Sequence, residues 1–308
     1  MSYADVAARL QAGDLIILDG GTGTELQRRG VSMDTDAWCG PATLYNYDVL
    51  EKIHRDYISV GADIITANTF ASSRLMLEIA GLSDQFDEIN RKAVQAALRA
   101  RELSARENVL VAGSLSHMCP MIGGDSATVP GRAKTQVEMA EAFSELAFLL
   151  RDAGCDLIIL EMMYDPQKIG LAFAAAAQTG LPIWAGFSAR RGEKGDILSF
   201  DARQEIPFCE ITNILDEYDI AVAGVMHSEA SVTGDALNEL KLSFTGPLMA
   251  YPDSGYFEMP HWQFHNIIPP EKFLNFATEW VTNGTQIIGG CCGLSIEHIS
   301  ALKPLTNG

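Results

Sequence analysis

Eight short apolar runs recur along the chain, at residues 15–19, 62–67, 109–113, 155–161, 182–187, 220–226, 247–251 and 285–289. Each is too brief for a helix and too continuously apolar for a strand with one wet face. Such runs suit strands of a parallel sheet buried on both sides. Between them the apolar period changes. Val49, Ile53, Tyr57 and Val60 form one stripe of a helix predicted over 48–60. Ile89, Ala93, Ala96, Ala97 and Ala100 do the same in 86–105, and Met139, Ala142, Phe143, Leu146 and Leu150 in 136–153. Further helices are predicted over 166–178, 204–218, 230–242, 271–283 and 295–302. Gly61, Gly154, Gly180 and Gly284 follow helical stretches, where a left-handed cap favours glycine.

Strand and helix alternating eight times predict an α/β fold, a (β/α)8 TIM barrel forming a single domain over 1–308. A doubly wound open sheet is the alternative. It gains little from the motifs, because Gly20-Gly-Thr-Gly23 only partly matches a dinucleotide-binding turn. The insertions after the first three strands are long. In a barrel such loops build the active face.

Composition narrows the function classes. The chain has 308 residues, 47% hydrophobic and 20% charged, as globular proteins do. Forty acidic residues against 22 basic ones give a net charge of −18. That balance repels nucleic acid and anionic membranes and names no substrate. No apolar run approaches the roughly 18 residues of a membrane span. The first ten residues lack the basic and apolar regions of a signal peptide. Six cysteines without a regular framework suggest reduced thiols and a cytoplasmic protein.

The predicted strand ends carry the candidate chemistry. In order they present Asp19, Asn68 and Thr69, Ser114, Glu161, Ser188, His227, Asp253, and the pair Cys291-Cys292. In a barrel these residues share one mouth. Adjacent cysteines are poorly placed to bridge each other. They are either inert buried thiols at a strand end or two soft ligands for one ion. His227, on the same face, completes two thiolates and an imidazole, the ligand set of a catalytic zinc site with an open fourth position.

At these residues the chain resembles the homocysteine S-methyltransferase family. Leu18-Asp-Gly-Gly-Thr-Gly-Thr-Glu-Leu26 with Arg29-Gly30 is similar to its N-terminal signature. Gly61-Ala-Asp63 and Thr66-Ala-Asn-Thr69 resemble its second block, and Leu160-Glu-Met162 its central glutamate motif. Tyr251-Pro-Asp-Ser-Gly255 resembles an element of bacterial S-methylmethionine-using members, and Gly289-Gly-Cys-Cys-Gly293 the metal motif. The resemblance implies a zinc-containing barrel that methylates homocysteine to methionine, with S-methylmethionine, S-adenosylmethionine, betaine or a methylated corrinoid as donor. It implies Cys291 and Cys292 as Zn2+ ligands, Glu161 as partner of the substrate amino group, and Asp19 at the pocket floor near the acceptor.

Two positions depart from the family pattern. The third family ligand is a cysteine after an asparagine, whereas this chain has Met226-His227. The element after the third strand reads Gly113-Ser-Leu-Ser-His-Met-Cys-Pro120, which adds His117 and Cys119 as potential ligands on the same face. The expected function is therefore zinc-dependent methyl transfer from a sulfonium or ammonium donor to a thiol, homocysteine first. Asn68, Thr69, Ser114 and Asp253 join Asp19 and Glu161 as expected substrate-binding residues. The expected partners are a small amino-acid thiol and a methyl donor, whose cation could rest on the Trp38 and Tyr45 rings. A methyltransferase or demethylase acting on another thiol or amine, and a binding barrel without catalysis, remain the alternatives.

Overall fold

A computed structural model describes residues 2–106, 108–119 and 134–306. Eight parallel strands form its centre: β1 (Ile16–Ile17), β2 (Ile64–Thr66), β3 (Leu110–Ser116), β4 (Leu157–Met163), β5 (Ile183–Phe187), β6 (Val222–Glu229), β7 (Leu248–Asp253) and β8 (Thr285–Ile288). Their spatial order is β1-β8-β7-β6-β5-β4-β3-β2. A parallel bridge from Leu18 to Ile64 brings the two ends of that sheet together, so the ring closes as a TIM barrel.

The apolar runs split by alternation into two cores. Ile16, Leu18, Ile64, Leu110, Ala112, Leu157, Ile159, Trp184, Val222, Met249 and Ile287 fill the barrel interior. Their neighbours Ile17, Ile65, Val111, Ile158, Leu160 and Ile288 face outward into the larger core shared with the helices. Successive strand side chains point to opposite faces, which is why no polar alternation was available to the eye.

Helices lie where the stripes put them, at Tyr47–Val60, Phe86–Glu102, Gln136–Ala153, Pro166–Ala177, Ala230–Leu240, Pro270–Thr282 and Ile296–Ala301. Gly61, Gly154, Gly180 and Gly284 all have positive φ, as expected of helix ends. The helix expected over 204–218 is shorter. It spans Phe208–Thr212 and continues as a 3-10 turn, Asn213–Glu217. Pro207 stands at its N-cap, and a residue before proline is disfavoured in the helical region.

Four helices among the described residues had no counterpart in the sequence expectations: Tyr3–Ala12, Thr22–Arg28, Ala42–Tyr45 and Arg74–Ile79. Tyr3–Ala12 closes the bottom of the barrel, placing Val6 and Leu10 in the interior core. Its Tyr3 hydroxyl accepts a hydrogen bond from Trp184 Nε1 at 3.0 Å, and Arg9 reaches Asp63 at 3.2 Å. The bottom is thus sealed and the opposite end left open for chemistry. Two antiparallel hairpins also went unforeseen: Ala189–Arg191 with Ile197–Ser199, and Tyr256–Glu258 with His261–Gln263. Both follow barrel strands at the open end. Among the described residues no helix is long and apolar enough to cross a membrane.

Candidate active site

The open end holds a cavity of about 570 Å3, lined by Asp19, Asn68, Glu161, His227, Asp253, Cys291 and Cys292 among others. Its sharpest feature is a donor cluster. His227 Nδ1 lies 3.6 Å from Cys291 Sγ, which lies 3.9 Å from Cys292 Sγ. One ligand atom from each of the three residues falls within 4.8 Å of the others. Zinc bond lengths of about 2.3 Å to sulfur and 2.0–2.1 Å to nitrogen give tetrahedral edges of about 3.8 Å and 3.6 Å. These two separations match those edges and the third stays within 4.8 Å, so the donor set suits one zinc ion.

The thiol chemistry agrees. Its hydrogen bond with Cys292, then burial, push the Cys291 thiol well above its ordinary pKa, against the pull of His227. The same hydrogen bond lowers Cys292, yet burial and nearby acids leave it raised. Two buried thiols this close ionise together only beside a cation. Burial opposes charge on His227, but Asp253, Cys291 and Glu161 overcome it and raise its pKa to about 9. Asp253 Oδ2 is 3.4 Å from Nδ1.

Local backbone explains how these side chains converge. The β8 strand ends at Ile288, and the following turn is pinned by backbone hydrogen bonds to its neighbours: Gly289 N–H to Ala250 O, Gly290 N–H to Asp19 O and Cys291 N–H to Pro252 O, all 2.8–2.9 Å. Cys292 O in turn accepts from Ser254 N at 2.9 Å. Gly293 has φ +79°, and a Cβ there would collide with the Ser254 carbonyl. Only glycine allows that left-handed turn to nest against the Tyr251–Gly255 segment.

His227 is aimed by an irregularity. The β6–β7 register shifts between Met226 and Glu229, and His227 has φ +43°. A β-bulge turns its side chain into the mouth at a backbone cost of roughly 1–3 kcal/mol. Ser188 Oγ and Ser228 Oγ both donate to Met226 O, at 2.9 and 2.8 Å, and hold the bulge. The imidazole lies 5.3 Å from the Phe200 ring and 5.8 Å from the Trp262 ring. Each aromatic residue comes from or beside one of the unforeseen hairpins.

The acidic wall is built on β4 and β1. Glu161 is buried and accepts a hydrogen bond from Ser114 Oγ. Burial pushes its pKa up to about 7, with Ser114 and His227 pulling the other way. The next residue, Met162, has φ +58°, and the β4–β5 register shifts there too. Asp19 accepts from Thr66 N and Oγ1 at 2.7 and 3.0 Å. Its carboxyl is held well above the usual range by burial, and the charge of Glu161 adds to that.

The other expected residues divide. Asn68 lines the cavity, but its amide is engaged by Cys39 O at 2.9 Å and its carbonyl by Cys39 Sγ at 3.3 Å. Thr69 and Ser114 are fully buried behind the wall; Thr69 Oγ1 donates to Ser114 O at 2.7 Å. Ser114 reaches the cavity only through Glu161. The extra ligand candidates do not join the cluster. His117 Nε2 accepts from the Tyr164 and Asp165 amides at 3.0 and 3.2 Å, and Cys119 Sγ packs 3.6 Å from Met139 Sδ. Pro120, the last residue of that element, lies outside the described residues. Trp38 lines the cavity, whereas Tyr45 is 81% exposed and does not. Tyr251 is a lining residue that the strand-end reading passed over. Its hydroxyl is buried without a hydrogen bond of good geometry, and Glu161 is its strongest charged neighbour.

The sequence profile of the homocysteine S-methyltransferase family matches residues 16–305, nearly the whole chain. The chain belongs to that family. A homocysteine S-methyltransferase of Escherichia coli is 27% identical, the match covering 96% of each chain. Homocysteine S-methyltransferase 2 of Zea mays is 26% identical over 96% of this chain and 91% of the maize protein. Among solved structures, the metallated form of the homocysteine methyltransferase MmuM from Escherichia coli superposes with a TM-score of 0.74, at 24% identity, covering 97% of this chain and 98% of that one. This likeness shows a shared barrel along the full length.

Proposed function

We propose that this family member methylates homocysteine at sulfur, taking the methyl group from a sulfonium or ammonium donor, with Zn2+ held by His227, Cys291 and Cys292. The convergence of these three donors on one point of the cavity, at zinc-like spacing, carries the reading. Bound zinc lowers the pKa of a coordinating thiol, so that a substrate only a few per cent ionised at pH 7 becomes a thiolate. That ionisation is worth about 2 kcal/mol, and a stabilised thiolate gives part of it back as lower nucleophilicity.

The remaining rate depends on alignment by the chain's own residues. Glu161, poised near neutrality, is the partner for the substrate ammonium, which would draw its proton off. Ser114 holds that carboxylate in place. Asp19 stands on the floor, fixed by Thr66. Asp253 lies 3.4 Å from His227 Nδ1, the nitrogen that faces Cys291, so its carboxylate stands at the would-be metal position. With the Trp38 face, the acidic lining attracts a cationic methyl donor and excludes an anionic one.

Purified protein with stoichiometric zinc, homocysteine and S-methylmethionine should form methionine, read by mass spectrometry. Zinc-loaded protein that binds both compounds without forming methionine would refute the methyl transfer. Protein that never retains zinc would refute the metal centre.

A further inference from the structure

Two thiolates and an imidazole fill three corners of a tetrahedron and leave the fourth open. One carboxylate stands beside that corner. Asp253, at the end of β7, is buried and lines the same cavity. Its Oδ2 lies 3.4 Å from His227 Nδ1. Zinc bonds of about 2.0–2.1 Å to nitrogen and 2.0–2.2 Å to a carboxylate oxygen give a tetrahedral edge of about 3.4 Å. Among the described residues no lysine or arginine comes within ion-pair distance of this carboxylate. A carboxylate withdrawn from water needs a cation or hydrogen-bond donors.

The backbone holds Asp253 against the cysteine turn. Its two neighbours bond to the two cysteines: Cys291 N–H donates to Pro252 O at 2.8 Å, and Ser254 N–H donates to Cys292 O at 2.9 Å. The carboxylate therefore meets the cluster of His227, Cys291 and Cys292 from its imidazole side. In the absence of an ion, a proton on Nδ1 satisfies Asp253. An ion on that nitrogen takes the place of the proton, and the carboxylate then faces the ion. Charge points the same way. His227 stands where the family pattern has a third cysteine, so the metal shell is one negative charge short. Asp253 restores that charge.

We infer that Asp253 is the fourth zinc donor of the substrate-free protein and that the incoming thiolate displaces it. The inference rests on the proposed zinc centre, with homocysteine as the thiol. The exchange balances: the zinc–oxygen bond breaks, a zinc–sulfur bond forms, and the thiol proton leaves to solvent. One anionic donor replaces another, so the charge of the metal shell is unchanged.

A crystal structure of the zinc-loaded wild type without substrate, with anomalous scattering at the zinc edge, should place an Asp253 oxygen about 2.0–2.2 Å from the ion. With homocysteine bound, sulfur should stand there instead. In solution, Asp253→Ala should weaken zinc roughly 10- to 100-fold in chelator competition. The same variant saturated with zinc should bind homocysteine about 10-fold tighter in calorimetry, because no carboxylate has to be displaced. A merely structural role would not move the two affinities in opposite directions. Asp253→Asn keeps the shape and serves if the alanine variant is unfolded, with smaller changes in the same directions. Water on the ion with Asp253 turned away, or homocysteine binding unchanged or weakened in a folded variant, overturns the inference and leaves the three-donor centre standing. A wild type that never retains zinc overturns both. Asp253 bound to zinc and displaced by homocysteine, without methionine forming, would sink the methyl transfer and leave the role of Asp253 standing.

Discussion

Replacing His227 with alanine is the most direct test of the donor cluster. The imidazole supplies one of three ligand atoms lying within 4.8 Å of one another, with Nδ1 3.6 Å from Cys291 Sγ. Structural zinc sites with four protein ligands bind with about 10–16 kcal/mol, so each ligand accounts for about 3 kcal/mol. Loss of one should weaken zinc roughly 100- to 1,000-fold. The variant also empties the space between the Phe200 and Trp262 rings, 5.3 and 5.8 Å from the imidazole. Thermal unfolding must therefore show that His227→Ala is folded before its affinity is read. Competition against a chromophoric chelator at fixed pH then gives the zinc dissociation constant. His227→Cys, which restores a third soft donor, should recover most of the affinity. A folded His227→Ala protein whose zinc affinity stays within about threefold of wild type would remove His227 from the ligand set. The two thiols would then need a partner elsewhere.

Three further outcomes follow from the geometry. Ser114→Ala removes a hydrogen bond that holds the Glu161 pKa down from the value burial imposes, so that pKa rises above about 7. The acid limb of homocysteine binding should move to higher pH in calorimetry, and an unshifted limb would disconnect Ser114 from Glu161. His54 is fully buried with neither ring nitrogen hydrogen-bonded, and burial lowers its pKa from 6.5 to about 3. The unfolded chain therefore takes up this proton as pH falls through 6.5 while the folded chain refuses it, and stability drops by about 2 kcal/mol between pH 7.5 and 5. His54→Leu should lack that drop in denaturant titrations at the two pH values; an identical pH dependence would show the folded ring to be protonated. Gly293→Ala must relieve a collision with the Ser254 carbonyl at φ +79° and should lose about 2–4 kcal/mol, together with zinc affinity; unchanged stability would mean that the turn moves freely.

The sequence by itself determined the barrel. Runs such as 155–161 and 182–187 are apolar throughout because both faces of β4 and β5 are buried, one against the interior and one against helices. Stripes such as Met139, Phe143, Leu146 and Leu150 fixed the outer layer in the same way, since burial leaves a period that can be counted. The strand ends then placed Asp19, Glu161, His227 and the cysteine pair around one mouth without any knowledge of distance. Pattern of this kind failed where the chain departs from regular structure. Nothing periodic marks the bulges at Met162 and His227, the two hairpins, or the short helix beyond Pro207. Bulges and hairpins are settled by what packs against them, here Ser188, Ser228, Phe200 and Trp262, all distant in sequence from at least one partner.

Tertiary structure alone decided which polar residues face the cavity. Thr69 and Ser114 occupy strand ends as Glu161 does, yet neither reaches the cavity: Ser114 faces the interior one layer below Glu161 and is capped by the carboxylate it bonds, and Thr69 is turned back to the Ser114 carbonyl. His117 and His227 look alike as single histidines after strands. One is consumed by two backbone amides and the other is turned towards two thiols. Arg190 is one of 22 basic residues in the sequence, and only the folded chain reveals that it lines the cavity edge with no carboxylate at ion-pair distance among the described residues. Burial patterns are local and survive in one dimension. Whether a polar atom is satisfied depends on partners from several strands at once, and that information exists only after the ring has closed.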